Sequence, residues 1–188
     1  MRSEVIVVDD FYNNPHEVRG GALRHSFDVC GNFPGQRSSA ALNNSIKTTI
    51  QRIIRNAGGL ITLWVEDGYN GAFQFTTKKD VSWVHCDKFN TWAGVCYLTP
   101  DAPLSAGTGF FTHKETGICK KPDDLTLQAK LGADASDLSK WQLTDIVSNR
   151  FNRLVLYRGD LYHRSLDYFG EDKETGRLFQ TFFFNTER

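Results

Sequence analysis

From residue 60 onward the hydrophobic pattern of this chain has a period of two, and that pattern limits the fold more than any other feature. Short aromatic and β-branched runs, bounded by Gly, Asn, Asp or Pro, fall at 60–65, 72–77, 83–87, 92–98, 109–113, 153–157, 161–166 and 178–184. Residues two apart on a strand share a face, so each run offers one face to a core and one to a second layer. Phe is abundant (14) and Met nearly absent (1), a balance that favours strands. Many short strands behind a helical N-terminal region indicate a mainly β fold: a two-sheet sandwich or jelly roll with helices packed on one sheet.

The N-terminal part reads differently. A short strand at 4–8 leads to Asn14-Pro15-His16-Glu17, a helix start with a cap, a proline in the first turn and an acid behind it. That helix is expected to run to Leu23. Residues 32–39 read as a loop. A second helix is expected at 43–57, with Ile46, Ile50, Ile53 and Ile54 on one face and Gly58-Gly59 as its stop; it is a packing element. A long interruption at 121–149 carries helix-like pieces at 125–131 and 138–146. It is either a lid over a site or a cover for a sheet edge. With no repeat and no linker, the 188 residues read as one domain: an N-terminal helical support region, 1–69, and a jelly-roll core, 72–185.

Charge and cysteines narrow the function. The 22 basic and 22 acidic residues cancel, and no basic stripe offers the counterion release that drives nucleic-acid binding, so no nucleic acid is expected as partner. Cys30, Cys86, Cys96 and Cys119 form no Cys-x-x-Cys pair, which argues against structural zinc. The four apolar residues at 5–8 are too few for a signal peptide, and no segment has membrane-spanning length. A cytoplasmic protein with reduced thiols is expected.

The chemistry concentrates at His85-Cys86-Asp87. On an extended segment His85 and Asp87 point the same way and Cys86 the other. One imidazole and one carboxylate make two-thirds of the facial triad that holds non-haem Fe(II). His163, beyond the Gly159 turn, is the expected third ligand, with His113 in reserve. On the last aromatic strand Arg177, Phe179, Thr181 and Phe183 share a face. If that face is interior, Arg177 is a buried guanidinium in need of an anion, which a dicarboxylate would supply in bidentate fashion. Arg37, Gln74 and Asn90 are polar candidates for substrate recognition, and Trp83, Phe89 and Trp92 are candidate pocket aromatics.

His85-x-Asp87, Tyr97-Leu98-Thr99-Pro100, Gly107-Thr108-Gly109, Gly159 with His163, and Arg177 together resemble the Fe(II)- and 2-oxoglutarate-dependent dioxygenases, in particular the prolyl-hydroxylase-like branch. The resemblance covers residues 72–185. It implies a double-stranded β-helix, with His85, Asp87 and His163 as iron ligands and Arg177 on the far carboxylate of 2-oxoglutarate. Tyr97 and Thr181 are implied as its helpers. It also implies the reaction: O2 and 2-oxoglutarate are consumed, succinate and CO2 are released, and an unactivated C–H bond of a small metabolite or amino acid is hydroxylated. Asp87 implies hydroxylation over halogenation. The alternatives are a peptidyl, prolyl-type hydroxylase, a cupin-like metal-dependent hydrolase or isomerase, and a non-catalytic binding jelly roll.

Overall fold

The central strand of the molecule shows how its two layers are made. The computed structural model describes residues 3–42, 44–66, 69–87 and 89–187. Within them the strands are β1 (Val5–Val8), β2 (Gln36–Ala40), β3 (Ile61–Trp64), β4 (Ala72–Thr76), β5 (Trp92–Tyr97), β6 (Thr108–His113), β7 (Trp141–Val147), β8 (Leu154–Arg158), β9 (His163–Ser165) and β10 (Arg177–Thr186). The helices are α1 (Pro15–Leu23), α2 (Asn44–Gly58) and α3 (Leu125–Ala133). β10 lies between β5 and β4 in a large antiparallel sheet of order β1-β8-β5-β10-β4-β2, and β3 pairs with its far end. Its alternate residues face opposite layers. Leu178, Phe182 and Phe184 join Trp92, Leu156 and the α2 residues Ile46, Ile50 and Ile54 in an outer core. Phe179 and Phe183 join Val95, Tyr97, Val155 and Tyr157 in an inner core.

The inner core is closed by a small sheet of order β7-β6-β9. Phe110 of β6 meets Tyr157 of β8 edge-on, with ring centroids 5.5 Å apart. Along the chain β5, β8 and β10 of the large sheet alternate with β6 and β9 of the small one. This is the winding of a jelly roll, and it agrees with the expected fold class. The α2 helix forms because its isoleucines recur at helical spacing and bury against the outer face; Asn43, at which the sequence reading starts it, lies outside the described residues.

Several expectations are corrected. In the N-terminal region β1 and β3 join the large sheet as strands expected there, and β2 joins it without having been expected. Residues 36–40 are an edge strand rather than loop; Gly35, at φ +75°, lets the backbone turn within 2.0 Å (at a notional Cβ) of the Phe75 carbonyl and enter the sheet. Residues 138–146 do not form an α-helix. Asp137 caps one 3-10 turn, Leu138–Lys140, and the chain then pairs as β7 with the open edge of β6. The segment 83–87 is extended but is no ladder strand; its one bridge joins His85 to His163.

Trp92 is also reassigned. It begins β5 on the opposite parity to Ala93, Val95 and Tyr97, so it points away from the barrel interior. It is fully buried in the outer core and stacks on Phe184. Its role is helix-to-sheet packing, not contact with a substrate.

Candidate metal centre

Backbone pairing brings His85 and His163 together. Each donates its N–H to the other's carbonyl, at 3.0 and 2.8 Å, the closely bonded pair of an antiparallel bridge. Their rings lie with centroids 4.5 Å apart. Two residues on, the Asp87 N–H donates to the Gly159 carbonyl at 2.7 Å, which turns its carboxylate to the same side. The His85, Asp87 and His163 side chains then offer three ligand atoms, all within 4.8 Å of one another. His113 is elsewhere: it is fully buried, with Nε2 3.1 Å from Asp134 and Nδ1 3.0 Å from Thr116.

The three donor atoms suit a cation. His163 Nδ1 donates to the Leu161 carbonyl at 2.8 Å, and His85 Nδ1 lies 3.1 Å from the Trp83 carbonyl. A carbonyl only accepts, so in each neutral ring the proton sits on Nδ1 and the Nε2 lone pair is left for a metal. Asp87 Oδ2 is buried with no hydrogen-bond partner. Burial, with the neighbouring His85 second, pushes the His163 pKa down to about 3, so it stays neutral at any ordinary pH. Burial raises the Asp87 pKa, with His85 and Arg37 acting against that rise.

A carboxylate with one oxygen buried and unpartnered has a cost. Its folded pKa lies above the unfolded value, so it stabilises the fold only at low pH, and that contribution is lost as pH rises through the folded value. Asp87→Asn is therefore expected to stabilise the metal-free protein at pH 7 by about 1–2 kcal/mol, and by less at pH 4. The same change should remove the rise in melting temperature that added divalent metal gives the wild type. Melts at the two pH values, with and without metal, check both.

Gly159 sets the position of Asp87. A Cβ there would stand 2.2 Å from the Asn90 carbonyl and 3.5 Å from Asp87 Cβ. Gly159→Ala is expected to push the 87–90 backbone outward, at a cost of about 1–3 kcal/mol. Metal affinity should fall with it, read by metal titration of the variant.

The triad lies in a cleft of about 1300 Å³. Trp83, Asn90, Gln74, Arg37 and Thr181 of the sequence-predicted set line it, as does the exposed Phe89. Asn90 accepts from the Tyr69 hydroxyl at 3.2 Å. Thr181 is not beside Arg177. It lies four residues along β10, about 13 Å away at strand rise, and its hydroxyl is committed to the Tyr69 and Ala72 carbonyls. Having no proton left for a carboxylate, it does not serve as Arg177's helper. Cys86 packs with Val84, Phe111 and Tyr162.

Arg177 is 1% exposed. Nε donates to the Ala106 carbonyl at 3.0 Å, the guanidinium lies 4.4 Å from the Phe179 ring centre and 5.2 Å from that of Tyr97, and Nη1 has no partner. A buried guanidinium with an orphaned N–H and no acid beside it fits an anion. Tyr97, fully buried, hydrogen-bonds Thr108 at 2.8 Å.

One residue escaped the sequence reading. Tyr157 donates its hydroxyl to His163 Nε2 at 3.2 Å, on the atom a metal would take. The signal was available, because the alternation of β8 places Val155 and Tyr157 on the inner face. The insertion also escaped in part: Gln128 and Leu131 of α3 form one wall of the cleft.

Among solved structures the chain resembles HygX from Streptomyces hygroscopicus with nickel, 2-oxoglutarate and hygromycin B bound: TM-score 0.64, 13% identity, 98% of this chain and 83% of that one. HygX with iron bound gives a TM-score of 0.58 at 13% identity and the same coverage. A prolyl hydroxylase from Trichoplax adhaerens, in complex with a hypoxia inducible factor peptide fragment, gives 0.50 at 12% identity, over 96% of this chain and 83% of that one. These likenesses show the fold. No curated protein matches the chain. In sequence, a family model matches residues 1–184, nearly the whole of the jelly roll and its N-terminal strands, and the chain belongs to that family, the family of unknown function DUF6445.

Proposed function

We propose that this protein is an Fe(II)- and 2-oxoglutarate-dependent dioxygenase that hydroxylates an unactivated C–H bond of a small molecule or amino acid. The observation that carries the reading is the convergence of His85, Asp87 and His163, whose ligand atoms lie within 4.8 Å of one another at the wall of a large cleft. Iron with 2-oxoglutarate, when bound, supplies the oxidising power: one atom of O2 ends in succinate, the other in the hydroxyl group, and CO2 leaves.

The protein's own contribution is placement. His85 and His163 are held in one tautomer by backbone carbonyls, and Asp87 brings the negative charge that a dication requires. Three ligands leave coordination positions open for other molecules. Arg177 would hold the far carboxylate of 2-oxoglutarate, with Tyr97 packed against its guanidinium. The apolar inner wall of Val95, Phe179 and Phe183 keeps water from the reacting centre. HygX, which shares the fold, binds iron, nickel and 2-oxoglutarate. A hydrolase or a binding jelly roll leaves Arg177 without a task. A peptidyl hydroxylase is the second reading, supported by the peptide-bound prolyl hydroxylase of the same fold.

The test is direct. With Fe(II), ascorbate and 2-oxoglutarate added anaerobically, a weak visible charge-transfer band is expected, and on admission of air, succinate. A wild-type protein that shows neither sinks the proposal. Succinate formation screened over small metabolites and over proline-containing peptides separates the two readings.

A further inference from the structure

Among the described residues the arginine that lines the cleft is Arg37, not the buried Arg177. Arg37 lies on β2 opposite Gln74 of β4, and its side chain enters the same cleft as the triad. The guanidinium is locked. Nε and Nη2 donate to Gln74 Oε1 at 2.9 and 2.6 Å, and the Phe33 ring stacks at 3.8 Å. Gln74 is 2% exposed and is itself fixed, donating from Nε2 to the Pro34 carbonyl at 2.6 Å. One edge and one face of the guanidinium are thus held by neutral groups, and the Nη1 corner remains for a ligand.

Among the described residues no carboxylate forms an ion pair with Arg37, and the other charged side chains on the cleft wall are Asp87, Glu66 and Lys121. Asp87 exerts the main opposing field on Arg37. That carboxylate belongs to the triad, so a dication there would leave Arg37 facing positive charge and without compensation. Burial lowers the Arg37 pKa only to about 10, and the charge persists at neutral pH.

Arg37 and Arg177 are separate sites. Across the large sheet the row runs Arg37, Gln74, Phe179, Tyr97, three strand spacings or about 14 Å, and the Arg177 guanidinium sits at the Phe179–Tyr97 end. One 2-oxoglutarate needs one such anchor for its far carboxylate. Resting on the oxygenase reading, we infer that Arg37 is the anion-recognition residue for the substrate: the molecule hydroxylated carries a carboxylate or phosphate group. This group docks on the free corner of Arg37, which presents a neighbouring C–H bond to His85, Asp87 and His163.

The probe is acetate, inorganic phosphate or the neutral acetamide, titrated into isotope-labelled protein loaded with diamagnetic Zn(II) and 2-oxoglutarate. The Arg37 Nε–H signal and the Gln74 side-chain amide report the site. A saturable shift with acetate or phosphate, absent with acetamide, is expected, and the stronger of the two anions names the substrate's group. Arg37→Gln should weaken the response at Gln74 at least tenfold while 2-oxoglutarate still binds. Gln74→Glu places a carboxylate on the guanidinium from within and should abolish the response, with the surviving Arg37 Nε–H signal showing that the site is folded. No saturable shift in the loaded wild type, an equal shift with acetamide, or loss of 2-oxoglutarate binding in Arg37→Gln would overturn the inference. The last outcome would make Arg37 the cosubstrate's arginine. Failure of the wild type to take up Zn(II) and 2-oxoglutarate defeats the oxygenase reading instead.

Discussion

His163→Ala is expected to abolish 2-oxoglutarate-dependent succinate formation and to weaken Fe(II) binding by more than about a hundredfold. Loss of a partner one shell further out costs roughly ten- to a hundredfold in metal affinity, and here a ligand atom itself is removed. The side chain is well suited to the role. It is 4% exposed, burial holds it neutral down to a pKa of about 3, and its Nε2 is kept deprotonated by the Nδ1–H bond to Leu161. The substitution also leaves a cavity beside Phe110 and Tyr157, so some stability is lost. His113→Ala provides the control. It empties an equally buried imidazole site, tied to Asp134, Thr116 and the Trp141 ring, at a cost of about 1–3 kcal/mol. It should keep its iron and its activity. Metal titration and thermal melts of the two variants separate ligand loss from cavity cost. If His113→Ala loses iron and His163→Ala keeps it, the ligand assignment is wrong.

Arg177→Met is expected to raise the KM for 2-oxoglutarate by about a hundredfold or more, with a smaller change in kcat at saturation. Two charge-assisted bonds to a carboxylate contribute roughly 1.5–3 kcal/mol each, and every 1.4 kcal/mol is a factor of ten. Methionine keeps an apolar stem of similar length while removing the guanidinium that lies against Phe179 and Tyr97. Because Nη1 is buried without a partner, removal of the cation should not destabilise the metal-free protein by more than about 1 kcal/mol. Anaerobic titration of the charge-transfer band with 2-oxoglutarate gives the affinity directly. An unchanged affinity would remove Arg177 from the cosubstrate site.

Much of the fold was legible because most strands bury both faces between chemically distinct layers. In β10 the inward set of Arg177, Phe179, Thr181 and Phe183 could be separated from Leu178, Phe182 and Phe184 by parity alone. β2 was not legible, since a polar edge strand, Gln36-Arg37-Ser38-Ser39, carries no hydrophobic period. β7 was misread as helix because its strand state depends on the unpaired edge of β6, a long-range partner with no trace in local spacing. Trp92 was expected among the pocket aromatics, whereas its parity within β5 directs it to α2.

The candidate site divides along the same line. Sequence alone determined which chemistry was on hand: a His-x-Asp pair with its side chains on one side, a later histidine after a glycine turn, and an arginine on the inward parity of the last strand. These are properties of residue type and of the two-residue strand period, and they need no partner to be read. Only the tertiary structure decided what those groups meet. The bridge between His85 and His163 and the locking of Arg37 by Gln74 join segments that pair across the fold, and the Tyr157 hydroxyl reaches His163 from the large sheet to the small one. Such contacts depend on register and sheet order, which long-range pairing sets and no local stretch encodes.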